Sequence, residues 1–195
     1  MAPPRIGLFG GTFDPPHIAH VVAAVQARWC LDLDRVIVVP AGDPWQKSGV
    51  TQVTAAGLRL EMTRAAFGGL AGVEVSDIEI ERPGPSYTVD TVNELVGPDE
   101  GVVVIVGRDT AAGLAGWDRA EELRDRVEVA WFERPGYEDH ELPAGWRFRP
   151  IDMPALAVSS TLVHAWRASG RLIDGLVPPA VMSIVERERL YREPR

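Results

Sequence analysis

The sequence predicts an α/β fold, a doubly wound and mainly parallel sheet with helices on both faces. Two observations predict it. Short apolar runs typical of buried strands alternate along the chain with longer stretches of helical spacing. Most of these runs are apolar at successive positions, as in a sheet that is covered on both sides. Such alternation indicates right-handed strand-helix-strand crossovers in a parallel sheet.

The elements follow one another without an internal repeat or a low-complexity segment. The predicted strands cover 6–9, 35–40, 73–80, 102–106, 127–132 and 147–151. The first, second and fourth are apolar runs, and in the third apolar and polar residues alternate. The predicted helices cover 17–31, 55–67 (with Leu58, Met62 and Ala65 on one side), a segment through Val92 and Leu95, 114–123, 158–170 and 178–190.

Composition indicates one domain over residues 1–195, with 46% hydrophobic and 25% charged residues. No apolar stretch has membrane-spanning length and the N-terminus lacks a signal-peptide pattern, so we expect no membrane association. The single cysteine fits a reducing, cytoplasmic location. The net charge of −8 argues against a nucleic-acid partner. The sequence leaves open whether the protein is a monomer or a homo-oligomer.

The first predicted strand ends in a motif suited to phosphate binding. Gly10 and Gly11 let the backbone turn tightly beside a ligand, and Asp14, followed by two prolines, predicts a helix start. His17 and His20 are three residues apart and share a helix face. A helix N-terminus with two imidazoles favours anions. The alternatives are two structural histidines or a zinc pair, and no acidic or cysteine ligand stands at the spacing that zinc requires, so we predict no protein-held metal.

The stretch GGTFDPPHIAH resembles the GxFDPxHxGH signature of the paired-histidine nucleotidylyltransferase superfamily, with Ala19 in place of glycine. The rest of the chain is similar to bacterial nicotinate-nucleotide adenylyltransferases. That resemblance implies a Rossmann-like nucleotidylyltransferase fold and an enzyme of NAD biosynthesis. It would transfer the adenylyl group of ATP to nicotinate mononucleotide, giving deamido-NAD and pyrophosphate.

A second motif, Ser159-Ser160-Thr161, precedes a predicted helix, where the first serine could equally be a plain N-cap. It resembles the family segment ISxTxxR, but His164 stands at the arginine position. Arg167 lies one turn further on and could supply that cation; otherwise His164 acts as a weaker cation, or substrate closure brings in another arginine. The resemblance implies that His17 and His20 are catalytic and that ATP, with Mg²⁺, is bound by Gly10, Gly11, Thr12, Phe13, His17, His20, Ser159, Thr161 and Arg167.

The resemblance also implies a binding set for the mononucleotide. Trp117 would stack on the nicotinate ring, Tyr87 and Thr88 would meet its carboxylate, and Asp90 would order their loop. The implied set is Trp45, Lys47, Tyr87, Thr88, Gly107, Asp109, Trp117 and Arg134.

Three alternatives to this function remain at the level of sequence. Pantetheine-phosphate adenylyltransferases share the first motif, although Trp117 and the Tyr87-Thr88 pair favour a pyridine nucleotide. Nicotinamide mononucleotide could replace the acid, because that choice depends on backbone orientation. A nucleotide-binding regulator without catalysis is the third, motivated by Ala19 and His164.

Overall fold

The structure is a computed structural model that describes residues 3–43, 53–133, 135 and 141–192. The strands are β1 (Arg5–Gly11), β2 (Arg35–Pro40), β3 (Val73–Val75), β4 (Gly101–Gly107), β5 (Val127–Phe132) and β6 (Phe148–Pro150). They form one sheet in the order β3-β2-β1-β4-β5-β6, in which every neighbouring pair is parallel. The predicted α/β class is confirmed, and the sheet is wholly parallel.

Helices cover the sheet on both faces, as expected. They are α1 (Ile18–Cys30), α2 (Ala56–Phe67), α3 (Ile78–Glu81), α4 (Thr88–Leu95), α5 (Arg108–Ala112), α6 (Ala120–Arg126), α7 (Ser160–Ala168) and α8 (Pro179–Arg187), with a 3-10 turn at Leu114–Gly116. Alternate residues of each strand enter different cores: in β4, Val103 and Ile105 join the core that includes α1, α2, α7 and α8, while Val102 and Val104 join the core that includes α4 and α6.

The strand order places a crevice at the centre of the sheet. β1 pairs with β2 on one side and with β4 on the other, so the chain winds away from β1 in two directions. In open parallel sheets, ligands bind outside the carboxyl ends of the strands at such a reversal. The glycine turn predicted to bind phosphate leaves β1 at this point.

Three predicted elements need correction. The strand expected over 73–80 ends at Val75, because the Asp77 carbonyl accepts hydrogen bonds from the N–H groups of Ile80 and Glu81 and starts α3. The helix expected over 114–123 is two segments, since Arg119 adopts a left-handed φ of 48°. The buried face of α2 differs too: it carries Arg59, Met62, Thr63, Ala66 and Phe67, whereas Leu58 and Ala65 are half-buried. Within the described residues, no helix is long and apolar enough to cross a membrane.

Candidate active site

A cavity of about 470 Å³ opens at the carboxyl ends of β1, β2, β4 and β5. Ten of the residues predicted from the sequence line it together: Gly10, Gly11, Thr12, His17, His20, Tyr87, Thr88, Gly107, Asp109 and Trp117. We call the part formed by residues 10–20, with the start of α7, the histidine side. The part formed by Glu79, residues 86–88 and residues 117–118 is the tryptophan side.

His17 and His20 form a stacked pair at the start of α1. Their ring centroids lie 3.7 Å apart with an interplanar angle of 21°. His17 occupies the N-cap position and is only 4% exposed, and its backbone N–H donates to Nδ1 of His20 over 3.2 Å. A nitrogen that accepts a hydrogen bond carries no proton, so neutral His20 holds its proton on Nε2. That tautomer offers a hydrogen-bond donor suited to a phosphate oxygen.

Phe13 packs against the histidine pair. Its ring is 2% exposed and meets the His20 ring edge-on at 5.0 Å, in a residue of left-handed φ. It is absent from the cavity lining, so its predicted contact with ATP stays a prediction.

Asp14 does not cap α1, contrary to the expectation. Its carboxylate instead accepts hydrogen bonds from the Thr54 N–H at 3.0 Å and from the Tyr191 hydroxyl at 2.6 Å. His164 stacks on Tyr191 with centroids 4.0 Å apart, and its Nε2 lies 2.8 Å from the Asp14 carbonyl oxygen. Because a carbonyl only accepts, Nε2 of His164 carries the proton. His164 is therefore engaged with the loop before the histidine pair.

The start of α7 docks on the same loop. Ser160 donates to the Pro15 carbonyl at 3.1 Å, and Ser159 caps the helix by accepting from the Leu162 N–H at 3.1 Å, so the N-cap interpretation is confirmed. Val158 lines the cavity, whereas Ser159, Thr161 and Arg167 do not. Nε and Nη2 of Arg167 are buried without a hydrogen-bond partner in the described part of the chain. The phosphate contacts expected of these three residues stay predictions.

Arg59 supports the backbone of the site and was not predicted from the sequence. This residue is 1% exposed, and its guanidinium donates to the carbonyls of Thr54 (2.9 Å), Thr12 (2.9 Å) and Gly42 (3.0 Å). Burial lowers the pKa of Arg59, and the nearby Asp14 carboxylate opposes that shift. An arginine on the apolar face of α2 was the signal available in the sequence.

The tryptophan side also contains residues that were not predicted. Glu79 lines the cavity and accepts a hydrogen bond from the Thr91 hydroxyl at 2.8 Å. Burial raises the pKa of its carboxyl group. Ser86 and Asp118 line the cavity beside Tyr87 and Trp117, and the Ser86 hydroxyl is buried without a hydrogen-bond partner among the described residues.

Trp45, Lys47 and Arg134 lie outside the described residues, so their roles stay predictions. Across the described ranges, no group of three or more His, Cys, Asp and Glu side chains could hold a metal ion.

Comparison with known proteins identifies the family. The cytidylyltransferase-like family model matches residues 8–165. The probable nicotinate-nucleotide adenylyltransferase of Exiguobacterium sibiricum is 42% identical over 189 residues, which cover 96% of this chain and 98% of that protein. The relative of the same name from Thermus thermophilus is 39% identical, covering 96% of this chain and all of its own.

Solved structures agree on the fold. The nicotinic acid mononucleotide adenylyltransferase of Plasmodium falciparum complexed with NaAD superposes with a TM-score of 0.73 at 18% identity, over 96% of this chain and 97% of that one. The same protein complexed with APC gives a TM-score of 0.75 at 16% identity. The paired-histidine turn, the parallel sheet and the full-length similarity lead to one conclusion: this chain belongs to the cytidylyltransferase-like family, among the nicotinate-nucleotide adenylyltransferases.

Proposed function

We propose that the protein transfers the adenylyl group of ATP to nicotinate mononucleotide, forming deamido-NAD and pyrophosphate. One observation carries the proposal: the stacked pair of His17 and His20 shares a single cavity with Tyr87, Thr88 and Trp117. The two imidazoles suit a phosphate chain, and the Tyr87 and Trp117 rings suit a pyridine ring. Relatives that match nearly the whole chain are named for the same reaction, which supports the proposal.

The reaction is an in-line displacement at phosphorus. An oxygen of the mononucleotide 5′-phosphate attacks the α-phosphorus of ATP, and the bond from that phosphorus to the bridging oxygen of the β-phosphate breaks. The attacking phosphate is already largely ionised at neutral pH, its second pKa being about 6, so no general base is needed. The protein's task is alignment and stabilisation of the charge on the transferring group.

The two histidines are suited to that task. With its proton on Nε2, His20 can donate to an α-phosphate oxygen, and His17 stands beside it. Thr12, Ser159 and Thr161 would hold the leaving pyrophosphate. Mg²⁺ would enter with ATP and neutralise triphosphate charge, which fits a described site without a metal cluster of its own.

On the tryptophan side, Trp117 would stack against the nicotinate ring while Tyr87 and the N-terminus of α4 meet its carboxylate. Asp109 follows the end of β4 and would accept hydrogen bonds from ribose hydroxyls. Trp45 and Lys47 would contact the nucleotide and its phosphates, and Arg134 would help to hold the site electrostatically. The nucleotide substrates and the single cysteine fit a cytoplasmic enzyme.

The direct test follows pyrophosphate release from Mg-ATP with nicotinate mononucleotide, with nicotinamide mononucleotide and with phosphopantetheine in separate reactions. We expect release with the acid, less with the amide and none above background with phosphopantetheine. Release with neither mononucleotide, together with tight ATP binding, would contradict the proposal and favour a nucleotide-binding regulator.

A further inference from the structure

Arg119 joins two walls of the cavity although it does not line the cavity itself. Its guanidinium pairs with Asp90 at 2.6 Å and with Asp118 at 2.9 Å. Asp90 lies in the first turn of α4, two residues after Thr88, and Asp118 follows Trp117. One cation therefore ties the start of α4 to the loop that carries the tryptophan.

The backbone of Arg119 is unusual in a way that serves this contact. Its φ of 48° and ψ of 42° are left-handed, a conformation that glycine adopts freely and arginine adopts at a cost. Arg119 forms the turn between the extended backbone at Trp117 and the start of α6. Glycine would be the natural residue for such a turn, so an arginine there, engaged with two carboxylates, indicates a role for its side chain.

The charges near the tryptophan side explain what that role is. Glu79 and Asp118 line the cavity, and Asp90 lies just behind Thr88. These negative charges would repel a substrate that carries a carboxylate, whereas they would not repel its neutral amide analogue. Arg119 offsets one of the two negative charges of Asp90 and Asp118 and leaves both salt bridges partly open to water, with 42% of its own side chain exposed.

We propose that Arg119 is a positioning and specificity-determining residue that favours the acid mononucleotide over the amide, by compensating Asp90 and Asp118 and by holding the Trp117 loop against α4. This inference rests on the proposed function. It adds a selectivity element that acts through charge behind the cavity wall, without contact with the substrate.

The experiment compares kcat/KM for nicotinate and nicotinamide mononucleotides in wild type, Arg119→Gln and Arg119→Gly. Glycine accepts the left-handed turn without strain, so the second variant removes the charge while keeping the backbone. For both variants we expect the acid-to-amide ratio to fall about fivefold, through the acid reaction, as two exposed charges become uncompensated. Adding Asp118→Asn to Arg119→Gln removes one of those charges and should recover part of the ratio.

Two controls separate this effect from a general one. Arg187 makes a similar exposed pair with Glu61, at 2.8 Å and away from the cavity, so Arg187→Gln should leave the ratio unchanged. Raising NaCl from about 20 to about 500 mM should narrow the difference in ratio between wild type and the variants, because salt screens exposed charges.

The outcomes are distinct. If wild type turns over neither mononucleotide, the proposed function fails and this inference with it. If wild type prefers the acid and both variants keep its ratio, or lose activity on both substrates equally, the proposed function stands and the role of Arg119 is overturned.

Discussion

The two sides of the cavity are held together by different kinds of interaction. On the histidine side, the connections are buried: Arg59 is 1% exposed and binds three carbonyls, and Asp14 is 6% exposed between Thr54 and Tyr191. On the tryptophan side, the connection between the walls is the ion pair of Arg119 and Asp90, which is partly open to solvent.

This difference matches what each side is expected to do. Buried hydrogen bonds to charged groups are strong and fix a geometry, which suits a site that must align phosphorus chemistry. Exposed ion pairs are weak and respond to salt, so they tune an affinity and hold a position less firmly. We expect changes on the histidine side to affect turnover and folding, and changes on the tryptophan side to affect selectivity.

The largest effect is expected for His20→Ala. The histidine donor acts on the transferring phosphate, so kcat should fall about 10²- to 10³-fold, as for the loss of one preorganised donor elsewhere. Steady-state pyrophosphate release measures it. Urea unfolding should show a much smaller effect, from the loss of the hydrogen bond and the ring stacking that His20 makes with His17. Normal turnover in this variant would show that the histidine assignment is wrong.

Arg59→Met should cause the largest loss of stability. It leaves three carbonyls and the neighbouring Asp14 carboxylate without their buried cation, so the free energy of unfolding should fall by about 3 to 5 kcal/mol. Urea denaturation measures this loss. Arg64→Met removes the exposed pair with Asp77 and serves as the matched control, with an expected change below about 0.5 kcal/mol. Equal losses in both variants would contradict the distinction between buried and exposed connections.

Tyr191→Phe should have an intermediate effect, about 1.5 to 2 kcal/mol, because it removes a hydrogen bond to a carboxylate. Burial and the Asp14 charge raise the pKa of Tyr191 above its ordinary value of 10.0. The unfolded chain therefore ionises first, and the stability advantage of wild type should shrink as pH rises past that value. Unfolding free energies of both proteins between neutral pH and pH about 10.5 test this; a constant difference would contradict it.

The smallest effect is expected for Glu79→Gln. Burial raises the pKa of this carboxyl in the folded protein, so its contribution to stability is fully present below the ordinary value of 4.5 and is lost as pH rises through the folded pKa. The variant should gain stability relative to wild type between acid and neutral pH, by under about 1 kcal/mol.

The strands and the histidine motif can be predicted because each is encoded in a short stretch of sequence. The apolar runs mark the strands, and residues 10–20 contain the turn, the helix start and both imidazoles within one short stretch. The carboxyl ends of parallel strands meet at one edge, and ten of the predicted residues line one cavity there.

The remaining features depend on contacts between distant residues. Asp14 is typical of an N-cap by position, but Tyr191 and Thr54 compete for its carboxylate in the folded chain. Arg59 finds its three carbonyls on segments that only the fold brings together. The left-handed turn at Arg119 breaks the stretch expected to be helical, and the ion pair of Arg119 with Asp90 joins two segments that only the fold brings together.

The bond between Asp14 and Tyr191 joins residues 177 positions apart. During synthesis at about 5 to 20 residues per second, Asp14 is made about 9 to 35 s before its tyrosine partner. Until Tyr191 has been made, the Asp14 carboxylate lacks this hydrogen bond. A chain that stops before Tyr191 would therefore carry both histidines without this hydrogen bond to the loop before them.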